Sequence, residues 1–232
     1  KKLGDFPDAI ECFQKALSIK PDLNAALFQI GLTQKAAKQW AEADKTFCHF
    51  VDVAGDQPQG HIELGYLARR TGDLLTALTH FERATTCTFQ APEAWHGYGR
   101  NLADMGEASP AIHALQKAVD LDPNYLQGWV SLVATVKDFQ GAEKALPIVE
   151  EVIVKAPDYE WLHMTKADLL FSMGRLAEAW TEYAWREKPF TRFSSNNAKL
   201  GPPKWDGSPL TGKHVLVTAE QGLGEQIMFS SM

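Results

Sequence analysis

The sequence predicts an all-α protein, a solenoid of paired helices with about five full repeats and one half repeat. The first observation behind this is a column of alanines. Ala9, Ala43, Ala77, Ala111, Ala145 and Ala179 recur every 34 residues, with no insertion or deletion between them. The second is the spacing around that column. Large or small residues recur three and four positions away, which is the period of one helix face. The third is a near absence of strand patterning before residue 214.

Each element of the repeat follows from a column. Four residues after the alanine stand Phe13, Phe47, Phe81, Leu115, Val149 and Tyr183. Three beyond these come Ala16, Phe50, Ala84, Ala118, Val152 and Arg186. Both belong to the second helix of a pair, whose large column packs into the next repeat. Twelve residues before the alanine lie Gly31, Gly65, Gly99, Val133 and Ala167. They belong to the first helix, where its backbone approaches its partner and only a small residue fits. Gly4, Gly72, Gly106 and Gly174 mark the turn between the two helices, with Lys38 and Gln140 as exceptions. A turn after a helix favours positive φ, which glycine adopts without strain. Pro21, Pro123 and Pro157 close three repeats, because proline cannot continue a helix. The first unit has only its second helix, so an apolar face is expected there, covered by another chain or by further residues. Pro110 falls at a helix start, where proline is tolerated. Pro147 falls inside a second helix, which must either start late or kink.

Composition sets bounds on function. The chain has 232 residues, 45% apolar and 22% charged, as in folded proteins that bury a core. A net charge of −6 argues against nucleic-acid binding. No apolar run is long enough to span a membrane. Cys12, Cys48 and Cys87 have no metal-ligand or CxxC spacing. They are expected to be reduced thiols packed in helices, which fits a cytoplasmic location. No two histidines form a ligand pair on one helix face, so neither a metal nor a cofactor is expected.

The pattern of Trp95, Tyr98, Gly99, Gly106, Ala111, Ala118 and Pro123 resembles the tetratricopeptide repeat. The resemblance covers about residues 4–187. It implies a right-handed superhelix whose concave groove is lined mainly by first helices and binds a protein or peptide segment. The groove-facing positions then include Phe28, Leu32 and Lys35; Gln59, Ile62, Tyr66, Arg69 and Arg70; Glu93, His96, Arg100 and Asp104; Val130, Lys137 and Asp138; and Trp161, Met164, Asp168 and Phe171. Arg69, Arg70 and Arg100, beside Tyr66 and His96, form a basic middle in an acidic chain. Arginine suits carboxylate recognition through its planar fork of donors. Two readings stay open: a groove for an acidic segment, or arginines paired with Glu63, Glu93, Asp73 or Asp104 inside the array. His61 and His163, which share a column with Leu27, Trp95 and Trp129, are expected to be packing residues. Trp95, Trp129, Trp180 and Trp185 are expected in the core.

The repeat stops after residue 187. Residues 188–213 are rich in Pro, Gly, Ser and Asn and are expected to be a linker. Residues 214–232 then suggest the beginning of an α/β domain: a strand at HVLV, a GLG turn and a helix start. The run from Tyr183–Arg186, through Pro203–Gly207, to Glu220–Glu225 resembles a bacterial junction between tetratricopeptide repeats and a glycosyltransferase-like domain of GT-B architecture, related to heptosyltransferases. That resemblance implies a catalytic carboxylate at Glu225 in a complete enzyme. A helix N-terminal carboxylate without catalytic role is the alternative. This stretch alone lacks the second lobe such an enzyme needs, so the chain itself is expected to be non-catalytic. The functional expectation is a protein–protein interaction module, the recognition part of a larger glycosyltransferase-like protein. The alternative is a free-standing scaffold that self-assembles, through the N-terminal half repeat or the C-terminal strand, or organises a complex.

Overall fold

A computed structural model of the chain describes residues 6–55, 57–88 and 90–187. The expected linker, strand, glycine turn and Glu225 lie outside the described residues, as does Gly4.

Among the described residues the fold is all helix. A lone α1 (Phe6–Ile19) is followed by five antiparallel pairs: α2 (Asn24–Ala36) with α3 (Trp40–Ala54), α4 (Pro58–Thr71) with α5 (Leu74–Cys87), α6 (Pro92–Asp104) with α7 (Ala108–Leu121), α8 (Leu126–Gln140) with α9 (Ala142–Lys155), and α10 (Glu160–Ser172) with α11 (Leu176–Tyr183). A 3-10 turn, Ala184–Glu187, ends the described chain. Each helix packs on its chain neighbours. The first helices α4, α6, α8 and α10 also touch one another in succession, which puts them on the inside of the curve.

The alanine column is the seam of each pair: Ala43, Ala77, Ala111, Ala145 and Ala179 are fully buried. The glycine column explains itself beside it. A Cβ on Gly65 would lie 2.8 Å from the Phe81 ring, and one on Gly31 would lie 2.6 Å from Phe47. Glycine on the first helix therefore makes room for a large ring on the second, sixteen residues on. Where the second helix carries the smaller Val149, the first helix carries Val133, and both are fully buried. The two columns compensate in volume, as close packing requires.

The turns show why Lys38 and Gln140 broke the glycine column. Lys38 takes the glycine conformation regardless, with φ 62°. At Gln140 the helix simply runs one residue longer, and Gly141 supplies the positive φ of 94°. Pro147 does not delay its helix: α9 starts at Ala142 and continues through the proline. The residue lies in the second turn, so the only hydrogen bond it removes is the one to the Glu143 carbonyl.

Two core assignments need correction. Trp129 is buried, but Trp180 is 45% exposed. Its column places Leu78, Ile112 and Leu146 against the apolar clusters of the array, and Trp180 is in the last described pair. It packs edge-on with Phe171 and Tyr183 instead. Cys12 and Cys48 are exposed on α1 and α3 rather than packed. No described helix is long and apolar enough to cross a membrane.

Candidate functional site: the inner row of first helices

The helix period brings the expected groove residues onto the first helices, and the structure shows what each one meets. At the N-terminal end Phe28 turns into the core, with its ring 5.1 Å from Phe50 and 5.5 Å from Phe47. Lys35 on α2 reaches across to Glu63 on α4. Arg69 on α4 donates through Nε to Asp104 on α6 at 2.6 Å. Lys137 on α8 pairs with Asp168 on α10. Each contact spans from one first helix to the next. These cations rivet the inner row together, so pairing within the array, one of the two readings of the sequence, holds for Arg69. Ion pairs this near the surface contribute about 0–1 kcal/mol each, so their main effect is on spacing and local charge.

Arg70 leaves the row. Its guanidinium lies 3.7 Å from the centre of the Trp40 ring, at the start of α3. One residue of helix turn separates it from Arg69 by about 100°, enough to put the two arginines on different faces.

The middle of the row is organised around His96. This residue was expected to face the groove; it is buried, 3% exposed, between α4 and α8. Its Nε2 is 2.9 Å from Ser131 Oγ. Its Nδ1 is 3.0 Å from the Tyr125 hydroxyl and 3.4 Å from that of Tyr66. One tautomer fits the two short contacts: Nε2–H donates to Ser131, and Nδ1 accepts from the Tyr125 hydroxyl, with the Tyr66 hydroxyl at a longer approach. Burial, reinforced by the charges of Arg100 and Arg69, pushes the His96 pKa down to about 4, so the ring is neutral at physiological pH. Burial likewise raises Tyr66 to about 12 and moves Tyr125 up, so both phenols keep their protons.

Arg100 stands at the edge of this cluster. It donates through a terminal nitrogen to Ser131 Oγ at 3.4 Å. Among the described residues it has no carboxylate partner, unlike Lys35, Arg69 and Lys137. The inner row thus presents Arg100 as a half-buried guanidinium with spare donors and no carboxylate partner among the described residues. Tyr125 and Ser131, half of this arrangement, were missed by the groove positions. Tyr125 precedes α8, outside the first-helix pattern, and only tertiary packing brings it to His96.

The column of His61, Trp95, Trp129 and His163 is a packing column, as expected. Trp129 Nε1 donates to the Pro123 carbonyl at 3.0 Å, and His163 Nε2 meets the Pro157 carbonyl at 2.8 Å, six residues back in each case. His163 Nδ1 is 2.6 Å from Glu182, and its ring stacks on Trp185 at 3.6 Å. Burial works against ionisation of Glu182, but hydrogen bonds from His163 and Lys166 outweigh it and hold the carboxyl below its ordinary range.

Two protein-family models, each described as tetratricopeptide repeat, match the chain, one at residues 1–23 and 92–125 and the other at residues 25–47. The chain carries tetratricopeptide repeats. The stretch 92–125 contains α6 and α7, the pair with the fullest repeat signature. A tetratricopeptide repeat protein from Parabacteroides merdae shares the fold, with a TM-score of 0.66 at 18% identity, over 79% of this chain and 73% of that one. So does YrrB, described as a TPR protein with an unusual peptide-binding site, with a TM-score of 0.58 at 14% identity, over 82% of this chain and all of that one. Protein FlbA of Caulobacter vibrioides is 25% identical over 238 residues, which covers the whole of this chain and 39% of FlbA. The chain spans less than half the length of the curated relatives it matches.

Proposed function

We propose that the repeat array is a protein–protein interaction module that holds an acidic segment of a partner along the inner row of first helices. The observation that carries this reading is Arg100. The other inner-row cations named above are matched by carboxylates of the array itself, whereas Arg100 donates to the Ser131 hydroxyl and has no carboxylate partner among the described residues. A carboxylate from a partner would complete it in the way Asp104 completes Arg69. The fold likeness to YrrB, a TPR protein with a peptide-binding site, agrees with a segment lying on this surface.

Capture on an Asp- and Glu-rich peptide array tests the proposal. Arg100→Glu should abolish capture while circular dichroism stays helical. Arg70→Glu, which acts on the Trp40 face, should leave capture intact. Equal capture by wild type and Arg100→Glu would overturn the reading.

The module is proposed as the recognition part of a longer, glycosyltransferase-like protein of the cytoplasm, with the chain itself non-catalytic. Support comes from the junction resemblance over residues 183–225 and from the larger size of FlbA. Sequence downstream of Met232 decides it, since an α/β domain of about 250 residues should follow. A self-assembling scaffold is the second reading, favoured by α1, in which no residue is buried. Analytical ultracentrifugation separates the two, because a concentration-independent monomer mass excludes the scaffold.

A further inference from the structure

The inner row changes character beyond Arg100. One exposed position of the first helices reads Gln59, Glu93 and Gln127 in three successive repeats, and then Trp161 on α10. Trp161 is 50% exposed. The seam of its own pair is made elsewhere, by the fully buried Ala167 and Ala179. Tryptophan and arginine are the side chains on which partner proteins most often anchor, and this row carries one of each.

The helix period places Trp161 on the row. Asp168 reaches across to Lys137 on α8. Trp161 and Met164 precede Asp168 by seven and four residues, so they lie within about 20° and about 40° of it around α10. Val130 precedes Lys137 by seven residues and occupies the matching stripe of α8. Val130 and Met164 share a repeat position with Ile62 and His96. Ile62 and His96 are buried, whereas Val130 and Met164 keep part of their surface open. The charges on this stripe are matched, Lys137 to Asp168. Apolar surface with a neutralised ion pair therefore adjoins Arg100, which has no carboxylate partner among the described residues.

We propose that Val130, Met164 and Trp161 form an apolar subsite for a bulky apolar side chain of the partner segment whose acidic residue meets Arg100. The subsite rests on the acidic-segment reading above and adds a second determinant to it. Neighbouring helices pack about 8–10 Å apart, and an extended chain covers about 3.3–3.6 Å per residue. The path from α6 across α8 to α10 is then about five or six residues long. The ligand class is an extended segment with an acidic residue and, at about that distance, a Phe, Leu or Trp. A charged side chain set against Trp161 and Met164 would lose hydration, whereas an apolar one gains from burial.

Fluorescence anisotropy of labelled synthetic peptides on the 232-residue chain tests the subsite. One peptide carries paired glutamates in a Gly–Ser background, and the others add a single Phe at each successive position on either side. Phe placed about five or six residues from the acid should tighten binding about tenfold or more, and Phe next to the acid should not. Trp161→Ser and Met164→Lys should each erase that preference, so that the two peptides bind alike. Leu75→Ser, at an exposed position of α5, should retain it. The positional preference is read on the wild-type chain and does not depend on how a variant folds. Binding of the glutamate peptide with no preference for Phe at any position would overturn the subsite and leave the Arg100 reading standing. No binding by any peptide would overturn both. Self-association of the chain that Trp161→Ser abolishes would assign the face to a second copy and overturn the proposal as well.

Discussion

Gly97→Ala is the sharpest test of how the repeats lock together. Gly97 lies on α6 and faces Phe81 on α5 of the preceding repeat. A Cβ at residue 97 would be 2.3 Å from Phe81 Cε1 and 2.6 Å from Cδ1, where ordinary contact begins near 3.4 Å. The ring would have to retreat by about 1 Å, and it has nowhere to go. The same ring atoms already lie against Gly65, where a Cβ would be 2.8 Å away, and Tyr66 packs edge-on at 5.2 Å. Phe81 is fully buried. Overpacking of this kind costs about 1–3 kcal/mol, and the rigid surroundings place Gly97→Ala at the upper end. For a chain of this size each kcal/mol lowers Tm by about 2–4 °C. Urea denaturation followed by circular dichroism measures the loss, and a double-mutant cycle with Phe81→Leu assigns it. The smaller side chain should absorb most of the penalty, leaving the alanine nearly neutral in that background. A Gly97→Ala protein within about 0.5 kcal/mol of wild type, or a penalty undiminished in the Phe81→Leu background, would refute the reasoning.

Three further outcomes are expected. His96 has a folded pKa of about 4 against 6.5 for the ordinary group, so the unfolded chain binds the extra proton first. Stability present above pH 6.5 should fall progressively towards pH 4, by up to about 3 kcal/mol, and His96→Gln should flatten this limb of a pH–stability curve. Lys38→Gly should stabilise by up to about 1 kcal/mol, because it relieves positive φ at a non-glycine, while Gly141→Ala should destabilise by about 1–3 kcal/mol; thermal melts give both signs. Glu182→Gln should loosen the stack of His163 on Trp185, which a change in tryptophan fluorescence would report; an unchanged spectrum would count against that anchor.

The repeats themselves were legible because their cause is local. Ala43, Ala77 and Ala111 recur since every pair has the same seam, and a 34-residue period displays that directly. Column-based reading also placed Lys35, Arg69 and Arg100 on first helices, where the structure has them. What it missed depends on contacts between repeats. Gly97 shares its register with Glu63 and Ser131, so no glycine column announces it; only the Phe81 ring crossing from α5 explains it. Tyr125 sits in the approach to α8, before the periodic part begins. Burial of His96 was hidden for a related reason, since its position faces the groove in a bare helix and is covered only when α4 and α8 close over it.

The central claim is that the inner row of first helices, centred on Arg100, is the binding surface. Hydrogen–deuterium exchange, with and without an acidic peptide selected from the array screen, measures this directly. Added protection confined to α4, α6 and α8, and absent in Arg100→Glu, is the predicted result. Protection confined to the second helices α5, α7 and α9 would contradict it.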